Sequence, residues 1–203
     1  MTIPAIRTQD IIHQADLFLQ KYNPLYDCPI PIENIVETKL KINIFPIKDL
    51  EKKMGIDGSI SKDFKTIEVD EYVYMSQEER ARFTIAHEIG HYILHRKLFE
   101  AEIAINSEGS FIDFQNKLSI SDWGTIEKQA FIFAQELLMP GDIFRQEMDE
   151  KIRQLGGIDK IIISDLSLLI SKVREIFCVS QYVALQKLKH VYPQIDEIAK
   201  FRT

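Results

Sequence analysis

The sequence has few of the residues that stabilise small secreted proteins. It contains only two cysteines, Cys28 and Cys178, which lie far apart and form no CxxC motif. This disfavours a disulfide framework or a cysteine-rich metal site, and it predicts two reduced thiols in the core. No apolar run approaches the roughly 20 residues of a membrane span, and residues 1–9 lack the charge and apolar order of a signal peptide. We therefore expect a soluble, cytoplasmic protein.

An excess of basic residues is also missing. The formal net charge is -6 at pH 7. Because neutralising the phosphates of a nucleic acid requires a basic face, this charge argues against broad nucleic-acid binding. The chain has no internal repeat, no low-complexity tract and no linker. Its length of 203 residues and its 45% hydrophobic content therefore predict a single domain over residues 1–203.

The most informative stretch spans residues 83–95, which hold three of the five histidines and the pattern His-Glu-x-x-His. If this stretch is helical, His87 and His91 lie on one face about one turn apart, the separation at which two imidazoles bind one zinc ion. Glu88 would flank the site, where a carboxylate can take a proton from a water molecule at the metal. The pattern favours a metal hydrolase. The alternative is a set of core histidines bonded to backbone carbonyls.

The residues around this motif predict a mostly buried helix over about residues 77–96. Ser76 to Glu79 matches a capping box, and the apolar positions that follow are too dense for a solvated surface helix. Residues 97–123 show no clear periodicity and are predicted to form an irregular loop or lid. A second helix is expected over about residues 125–139, because Pro140 discourages its continuation.

Short apolar runs before the motif predict a small sheet. They span residues 41–47, 58–61 and 66–69, and their spacing favours a mainly antiparallel arrangement. The sheet and the two helices of the metal site are assigned to residues 40–140, and a helical C-terminal part to residues 141–203. The predicted fold class is therefore α+β, with the small sheet beside the metal-binding helix.

A catalytic zinc site commonly has three protein ligands and one open position, so His87 and His91 require a third ligand. His95 is nearest in sequence, but it lies two turns from His87, roughly 11 to 12 Å along a straight helix. The two therefore cannot readily share a metal. We interpret His95 as a group that supports the ligands or faces the substrate. The alternative is a hydrogen-bonded histidine at the end of the helix.

Carboxylates are numerous, so the third ligand is chosen by the face of the helix on which it lies. Glu127 shares the apolar side of the second helix, whereas Glu136 lies with Gln129 and Gln135 on the side expected to face water. A buried carboxylate without a partner is costly, and no Arg or Lys lies on the apolar side. Metal coordination by Glu127 is the simplest resolution. The alternative is an ion pair with a basic residue from elsewhere in the chain.

Two segments together resemble the ImmA/IrrE family of zinc metallopeptidases. Residues 82–95 read RFTIAHEIGHYILH and residues 127–140 read EKQAFIFAQELLMP, in the order that the family has them. The match is specific over about residues 80–140. The resemblance implies a zincin-like core and a bacterial or phage cytoplasmic protease, whose known members cleave helix-turn-helix repressors and so release transcription.

The resemblance also assigns roles by position. His87, His91 and Glu127 match the zinc ligands of the family, and Glu88 matches its catalytic glutamate. One position departs from the pattern, because Phe131 stands where the family usually has Asn. An amide at that position could orient the carboxylate or line the site, and phenylalanine cannot form the same hydrogen bonds.

We therefore predict a zinc-dependent endopeptidase that acts on a protein substrate, with a transcriptional repressor as the expected partner. Zinc would activate a water molecule and polarise the scissile carbonyl, and Glu88 would transfer the proton to the leaving amine. A stabiliser of the oxyanion is also expected. The candidates are Tyr92, His95, Tyr72 and Tyr74, and the sequence does not choose among them.

Two other classes of function compete with this prediction. One is a DNA-binding regulator, because residues 165–177 and 180–190 resemble a helix-turn-helix, with Lys187 and Lys189 in the second helix. That helix is rich in apolar residues, which favours a pair of helices packed in the core. The other is a non-cleaving antirepressor or interaction module that binds its partner without cutting it.

Overall fold

The structure is a computed structural model that describes residues 5–105 and 118–200 of the chain. Within these ranges a small sheet and the metal-site helices are followed by a helical C-terminal part, which confirms the predicted α+β class. In chain order the elements are α1 (Thr8–Tyr22), α2 (Ile32–Asn34) with the π-helical segment Ile35–Leu40, β1 (Asn43–Ile47), α3 (Leu50–Met54), β2 (Gly58–Ile60), β3 (Thr66–Asp70), α4 (Glu71–Ser76), α5 (Glu78–Leu94), α6 (Arg96–Ile105), α7 (Ile120–Leu138), α8 (Gly141–Gln154), the 3₁₀ turn Ile158–Lys160, α9 (Ile163–Phe177), α10 (Gln181–Val191) and α11 (Gln194–Lys200).

Strand β3 lies between the other two strands of the sheet. Strand β2 pairs with it in the antiparallel sense, whereas β1 pairs with it in parallel. The sheet is thus mixed, which corrects the mainly antiparallel arrangement that we expected. The cause is helix α3, which carries the chain from the end of β1 past the end of β3 to the start of β2. Strand β1 therefore lies on the far side of β3.

Helix α5 carries the His-Glu-x-x-His motif through the core and lies within the predicted range 77–96. Its start differs from the prediction, because Ser76 ends α4 and Gln77 caps α5 without a side-chain hydrogen bond. No capping box forms. Helix α5 contacts β2 and β3 as well as α7. Its residues Ile85 and Ile89 are fully buried. Burial on several sides explains why its apolar residues are so dense.

Most of the described part of the predicted loop is helical. Helix α6 covers Arg96–Ile105, and α7 begins at Ile120, well before the expected start. Ser119 caps α7, because its hydroxyl accepts a hydrogen bond from the backbone N–H of Asp122 at 3.1 Å. This Ser-x-x-Asp pattern is a local helix-start signal that the loop prediction overlooked. The remainder of that prediction, residues 106–117, lies outside the described residues.

Helix α7 is buried on more sides than its sequence indicates. Gln129, Gln135 and Glu136, which we placed on the water-facing side, are only 5 to 6% exposed. That assignment was wrong. The reason is that α1 and α5 pack against α7, while Lys187 and Val183 of α10 bind the side chains of Glu136 and Gln135. These neighbours come from distant parts of the chain, so helical periodicity alone cannot identify the buried faces.

Helices α9 and α10 pack as a pair in the C-terminal part. Val183 and Leu188 of α10 are buried, as expected for a core helix and not for one that reads DNA. Lys187, which the sequence offered as a basic residue, is itself 2% exposed and forms an ion pair with Glu136 of α7. Burial lowers the pKa of Lys187, and the Glu136 carboxylate opposes that shift. The pair ties the C-terminal helices to α7.

Two further expectations concern membrane-spanning helices and the cysteines. Among the described residues, no helix combines the length and the apolar character that crossing a bilayer requires. Cys28 and Cys178 are free thiols and each is partly buried. Burial raises the pKa of Cys28 to about 11, so this thiol stays protonated and unreactive at neutral pH.

We predict that the Lys187→Ala substitution lowers the free energy of unfolding by about 3–5 kcal/mol, because it leaves the Glu136 carboxylate buried without its partner. Urea unfolding followed by circular dichroism measures this loss. The matched control is Lys189→Ala on the same helix, whose ion pair with Asp196 is more exposed and should cost less than about 1 kcal/mol. Equal losses in the two variants would show that the buried pair does not hold the helices together.

Candidate metal centre

The structure brings His87, His91 and Glu127 together where α5 and α7 meet. The Nε2 atoms of His87 and His91 are 3.1 Å apart. The Glu127 Oε2 atom is 3.1 Å from His87 Nε2, and the Glu127 Oε1 atom is 3.3 Å from His91 Nε2. Atoms bound to one tetrahedral zinc ion at about 2.1 Å lie roughly 3.3–3.4 Å from one another. The spacing of these three groups therefore fits a single zinc ion.

The three groups are exposed to different degrees, as expected for a site that is open to solvent on one side. The side chain of His91 is 2% exposed, that of His87 is 17% exposed and that of Glu127 is 36% exposed. The Glu127 carboxylate thus faces the cleft, and is less buried than Glu136. Our choice of Glu127 rested on the apolar face of α7. Ala130, Ala134 and Leu138 on that face are fully buried, while Glu127 itself is half-buried with its carboxylate against both histidines.

Glu88 lies beside these groups and is among the residues that line the cleft. Donor atoms of His87, Glu88 and His91 all lie within 4.8 Å of one another, and Glu88 is 5% exposed. Its Oε2 atom has no hydrogen-bond partner in the described part of the chain. Burial raises the pKa of the Glu88 carboxyl, and the nearby His91 and His87 oppose that rise. A buried carboxyl of this kind is suited to exchanging a proton.

The pKa shifts in the cleft reflect the contacts between the imidazoles and the carboxylate. Burial lowers the pKa of His87, but its hydrogen bond to Glu127 and the charge of Glu88 outweigh burial, so the net shift is upward. Burial raises the pKa of Glu127, but its hydrogen bonds to His87 and His91 outweigh burial, so the net shift is downward. Two imidazoles and a carboxylate form the donor set of many catalytic zinc sites. The chemistry of these residues therefore fits zinc.

A buried chain of hydrogen bonds extends from His91 away from the cleft. The Nδ1 atoms of His91 and His95 are 3.2 Å apart, and the His95 Nε2 atom is 2.8 Å from the Oε1 atom of Gln129 on α7. All three side chains are at most 5% exposed. Burial, together with the nearby His91, lowers the pKa of His95 to about 4, so His95 is neutral at physiological pH.

The positions of the protons along these hydrogen bonds determine which nitrogen of His91 can bind a metal. If His95 Nε2–H donates to Gln129, its Nδ1 atom accepts from His91 Nδ1–H. The lone pair of His91 Nε2 is then directed to the site. The opposite order would place a proton on His91 Nε2 and block a metal there. Gln129 and His95 are thus placed to set the tautomer of His91, and the supporting role of His95 stays a prediction.

The tyrosines proposed from the sequence lie away from the cleft. The Tyr92 hydroxyl accepts a hydrogen bond from Arg96 at 3.1 Å, and its ring packs against Phe64. Tyr72 is 64% exposed, and the Tyr74 hydroxyl donates to Glu33 at 3.5 Å. None of the three lines the cleft. The structure therefore does not place these tyrosines, or the buried His95, where an oxyanion would form.

Several residues of the site were missed in the sequence. The Trp123 ring is stacked on His91 with a centroid distance of 6.3 Å, and Phe99 packs against the same imidazole at 6.1 Å. Trp123 precedes Glu127 by one helical turn, a spacing that would have placed it in the site had the start of α7 been recognised. Arg80 contributes a polar wall, because it donates two hydrogen bonds of 2.6 Å to Asp57.

The cleft in front of the three ligating groups has a volume of about 470 Å³. Its lining includes aromatic rings, the ion-paired Arg80 and Asp57, and Gly58 of β2. A side chain at position 58 would clash with Thr84 at 2.5 Å and with the Glu68 carbonyl oxygen at 2.8 Å. Glycine therefore allows the sheet to approach α5 closely at the edge of the cleft.

Comparisons with known proteins bear on this geometry. A peptidase family model described as the IrrE N-terminal-like domain matches residues 38–188. Among solved structures, a Mycobacterium tuberculosis transcriptional regulator is similar in fold, with a TM-score of 0.53 and 15% sequence identity. The similarity covers 89% of this chain and 46% of that one, so the chain spans less than half of the regulator's length. A search among curated proteins found no significant match.

We predict that the Gln129→Leu substitution weakens zinc binding by roughly ten- to a hundredfold, because His95 loses the acceptor that orients its ring. Competition with a chromophoric chelator measures the dissociation constant. Gln135→Leu is the matched control, since it removes another buried amide from α7, one that donates to the Val183 carbonyl far along the helix. Similar losses of affinity in both variants would mean that the helix, and not the tautomer of His91, had been disturbed.

Proposed function

The chain belongs to the peptidase family of IrrE N-terminal-like domains, whose model matches most of its length, and we propose that it is a zinc-dependent endopeptidase. This family assignment confirms the resemblance seen in the two motifs. The observation that carries the proposal is the position of the Glu127 carboxylate, 3.1 and 3.3 Å from the Nε2 atoms of His87 and His91. The buried Glu88 carboxyl beside them supplies the acid–base group that hydrolysis requires.

In this proposal His87, His91 and Glu127 hold the zinc ion. When bound, zinc supplies Lewis-acid chemistry that polarises a carbonyl group and makes water more acidic. The chain orients the ligands from two sides, because α5 provides both imidazoles and α7 provides the carboxylate. Trp123 and Phe99 pack on His91 and restrict its rotation. This packing keeps the three groups at the separations that a single ion needs.

Glu88 has the proton-transfer role. It follows His87 on α5, and its carboxyl lies on the protein side of the cleft with one oxygen unpaired among the described residues. Its upward-shifted pKa brings it nearer to neutral pH, where a group can both accept and release a proton efficiently. Glu88 would accept a proton from the attacking water and deliver it to the nitrogen of the leaving amine.

The position of β2 supports binding of an extended peptide. Among the described residues β2 pairs only with β3, so its other edge is not paired with a strand, and Glu88 accepts a hydrogen bond from the Ile60 backbone of β2. Gly58 of this strand lines the cleft. A substrate segment that adds to this edge as a further strand would place its backbone in front of the ligating groups. This mode of binding recognises a backbone and hence suits a protein substrate.

We further propose that the substrate is a helix-turn-helix transcriptional repressor of a phage or mobile element, cleaved in the cytoplasm. The support is the resemblance to the ImmA/IrrE family, whose known members cleave such repressors. The similar solved structure is named a transcriptional regulator, which is compatible with a regulatory setting for this fold. A non-cleaving antirepressor is the competing function, because the same surface could bind a partner without hydrolysing it.

We expect Glu88→Gln to retain zinc near one equivalent and to lose peptide-bond cleavage by at least about a thousandfold, since it removes the proton acceptor and leaves the ligands in place. Glu127→Ala should lose zinc, measured by elemental analysis. Activity is measured by mass spectrometry on a proteome-derived peptide library and on the repressor encoded nearest to the gene. Removal of zinc by a chelator should abolish cleavage, and added zinc should restore it.

The outcomes distinguish the competing functions. A wild-type protein that holds zinc yet cuts neither the library nor the repressor, and binds the repressor equally well as Glu88→Gln, is a non-cleaving antirepressor. Cleavage of library peptides without cleavage of the repressor would retain the endopeptidase and reject the repressor as its substrate. A folded wild-type protein that takes up no zinc would overturn the metal site itself.

A further inference from the structure

A second cavity, of about 570 Å³, adjoins the cleft of the metal centre. The two share Arg80, Phe83 and Phe131 in their walls. The shared rings lie near the ligands in sequence, because Phe83 is one turn before His87 on α5 and Phe131 is one turn after Glu127 on α7. The second cavity therefore lies directly beside the site of the proposed hydrolysis.

Aromatic rings form a continuous wall from the metal centre into this cavity. The ring of Phe83 is 6.4 Å from the His87 ring and 5.1 Å from that of Phe131. Phe131 in turn is 6.4 Å from the ring of Tyr182 on α10. Val183 completes the apolar floor and is 3% exposed. We refer to Phe83, Phe131, Tyr182 and Val183 as the aromatic pocket.

Three charged side chains, Glu78, Glu79 and Arg80, line the rim of the pocket. Glu79 pairs with Arg174 of α9 at 2.9 Å. Arg80 pairs with Asp57 at 2.6 Å and with Glu51 at 3.0 Å. These ion pairs engage two of the three rim charges, and the surface that the pocket offers to a ligand is mainly apolar. Tyr182 is 63% exposed, so a ligand that covers it removes apolar surface from water.

We propose that the aromatic pocket binds a large apolar or aromatic side chain of the substrate, at a position that flanks the scissile bond. This inference rests on the proposed endopeptidase function, because the walls that the pocket shares with the cleft identify the occupant as a side chain of the bound peptide. Phe131 sets the specificity, since it stands where the resembled family usually has Asn. An apolar ring at this position replaces a hydrogen-bonding wall with one that selects by burial of apolar surface.

The first arm of the test measures cleavage specificity with zinc-loaded protein. In the proteome-derived library, wild-type cleavage sites should be enriched in Phe, Tyr, Leu or Met at one position beside the cut. A pair of octapeptides that differ only there, as Phe or Ala, should differ about tenfold in kcat/KM. Phe131→Asn and Tyr182→Ala should remove most of that difference. Leu168→Ala is the control, because it truncates an exposed apolar side chain of α9 outside the pocket.

The second arm does not depend on catalysis. N-acetyl-phenylalanine amide, added at millimolar concentration to the Glu88→Gln protein, should shift the amide NMR signals of residues 180–183, and N-acetyl-alanine amide should not. The shifts should disappear when Tyr182→Ala is added to this background and persist with Leu168→Ala. Because Tyr182 is largely exposed, its substitution tests the pocket without disturbing the core.

The two arms separate the failure of the pocket from the failure of the proposed function. Cleavage without an apolar preference, together with absent NMR shifts, would overturn the pocket and retain the endopeptidase. NMR shifts that depend on Tyr182, without any cleavage, would support the pocket and overturn the endopeptidase. Absence of both signals in a folded, zinc-loaded protein would overturn both. Preference and shifts that survive Phe131→Asn and Tyr182→Ala would locate apolar binding elsewhere and overturn the assignment.

Discussion

The candidate metal centre depends on the direct contact between the backbones of α5 and α7. A Cβ atom at Gly90 would lie 3.0 Å from both the Cα and the carbonyl oxygen of Ala130, so the two helices touch where neither has a large side chain. His87 precedes Gly90 by one turn, and Glu127 precedes Ala130 by one turn. The contact thus fixes the separation between imidazole and carboxylate, and a bulkier residue at either position would increase it.

Helix α7 is held in this position by polar side chains directed to different parts of the protein. Glu127 faces the two ligating histidines, Gln129 meets His95, and Glu136 meets Lys187. Gln129 and Glu136 are both buried, so an incorrect rotation of α7 would leave a buried polar group without its partner. These bonds specify the rotation of the helix about its axis more strongly than apolar packing would. The same rotation directs Glu127 into the cleft.

The sequence predicted those features that depend on residues close together in the chain. The His-Glu-x-x-His spacing, the helix around it and the motif that identifies the family are local, and the fold class and the family are confirmed. The polar face of α7 was mispredicted as exposed, because Glu136 is buried by Lys187, a residue of α10. The pairing of β1 was missed for the same reason, since its parallel partner β3 comes after two intervening elements. Periodicity describes one element and carries no information on which distant elements cover it.

Ligand geometry and substrate recognition are separable in this arrangement. The three proposed ligands meet at the cleft between α5 and α7. Phe83 lies one turn before His87 and Phe131 one turn after Glu127, and the Phe131 ring contacts Tyr182 of α10. A change at position 131 therefore alters the wall beside the cleft without changing the spacing of the ligating atoms. A hydrogen-bonding residue there would favour a polar neighbour, because a buried polar group needs a hydrogen-bond partner. A phenyl ring favours an apolar neighbour, because contact removes apolar surface of both from water. Divergence of substrate preference on a constant metal site needs only substitutions of this kind.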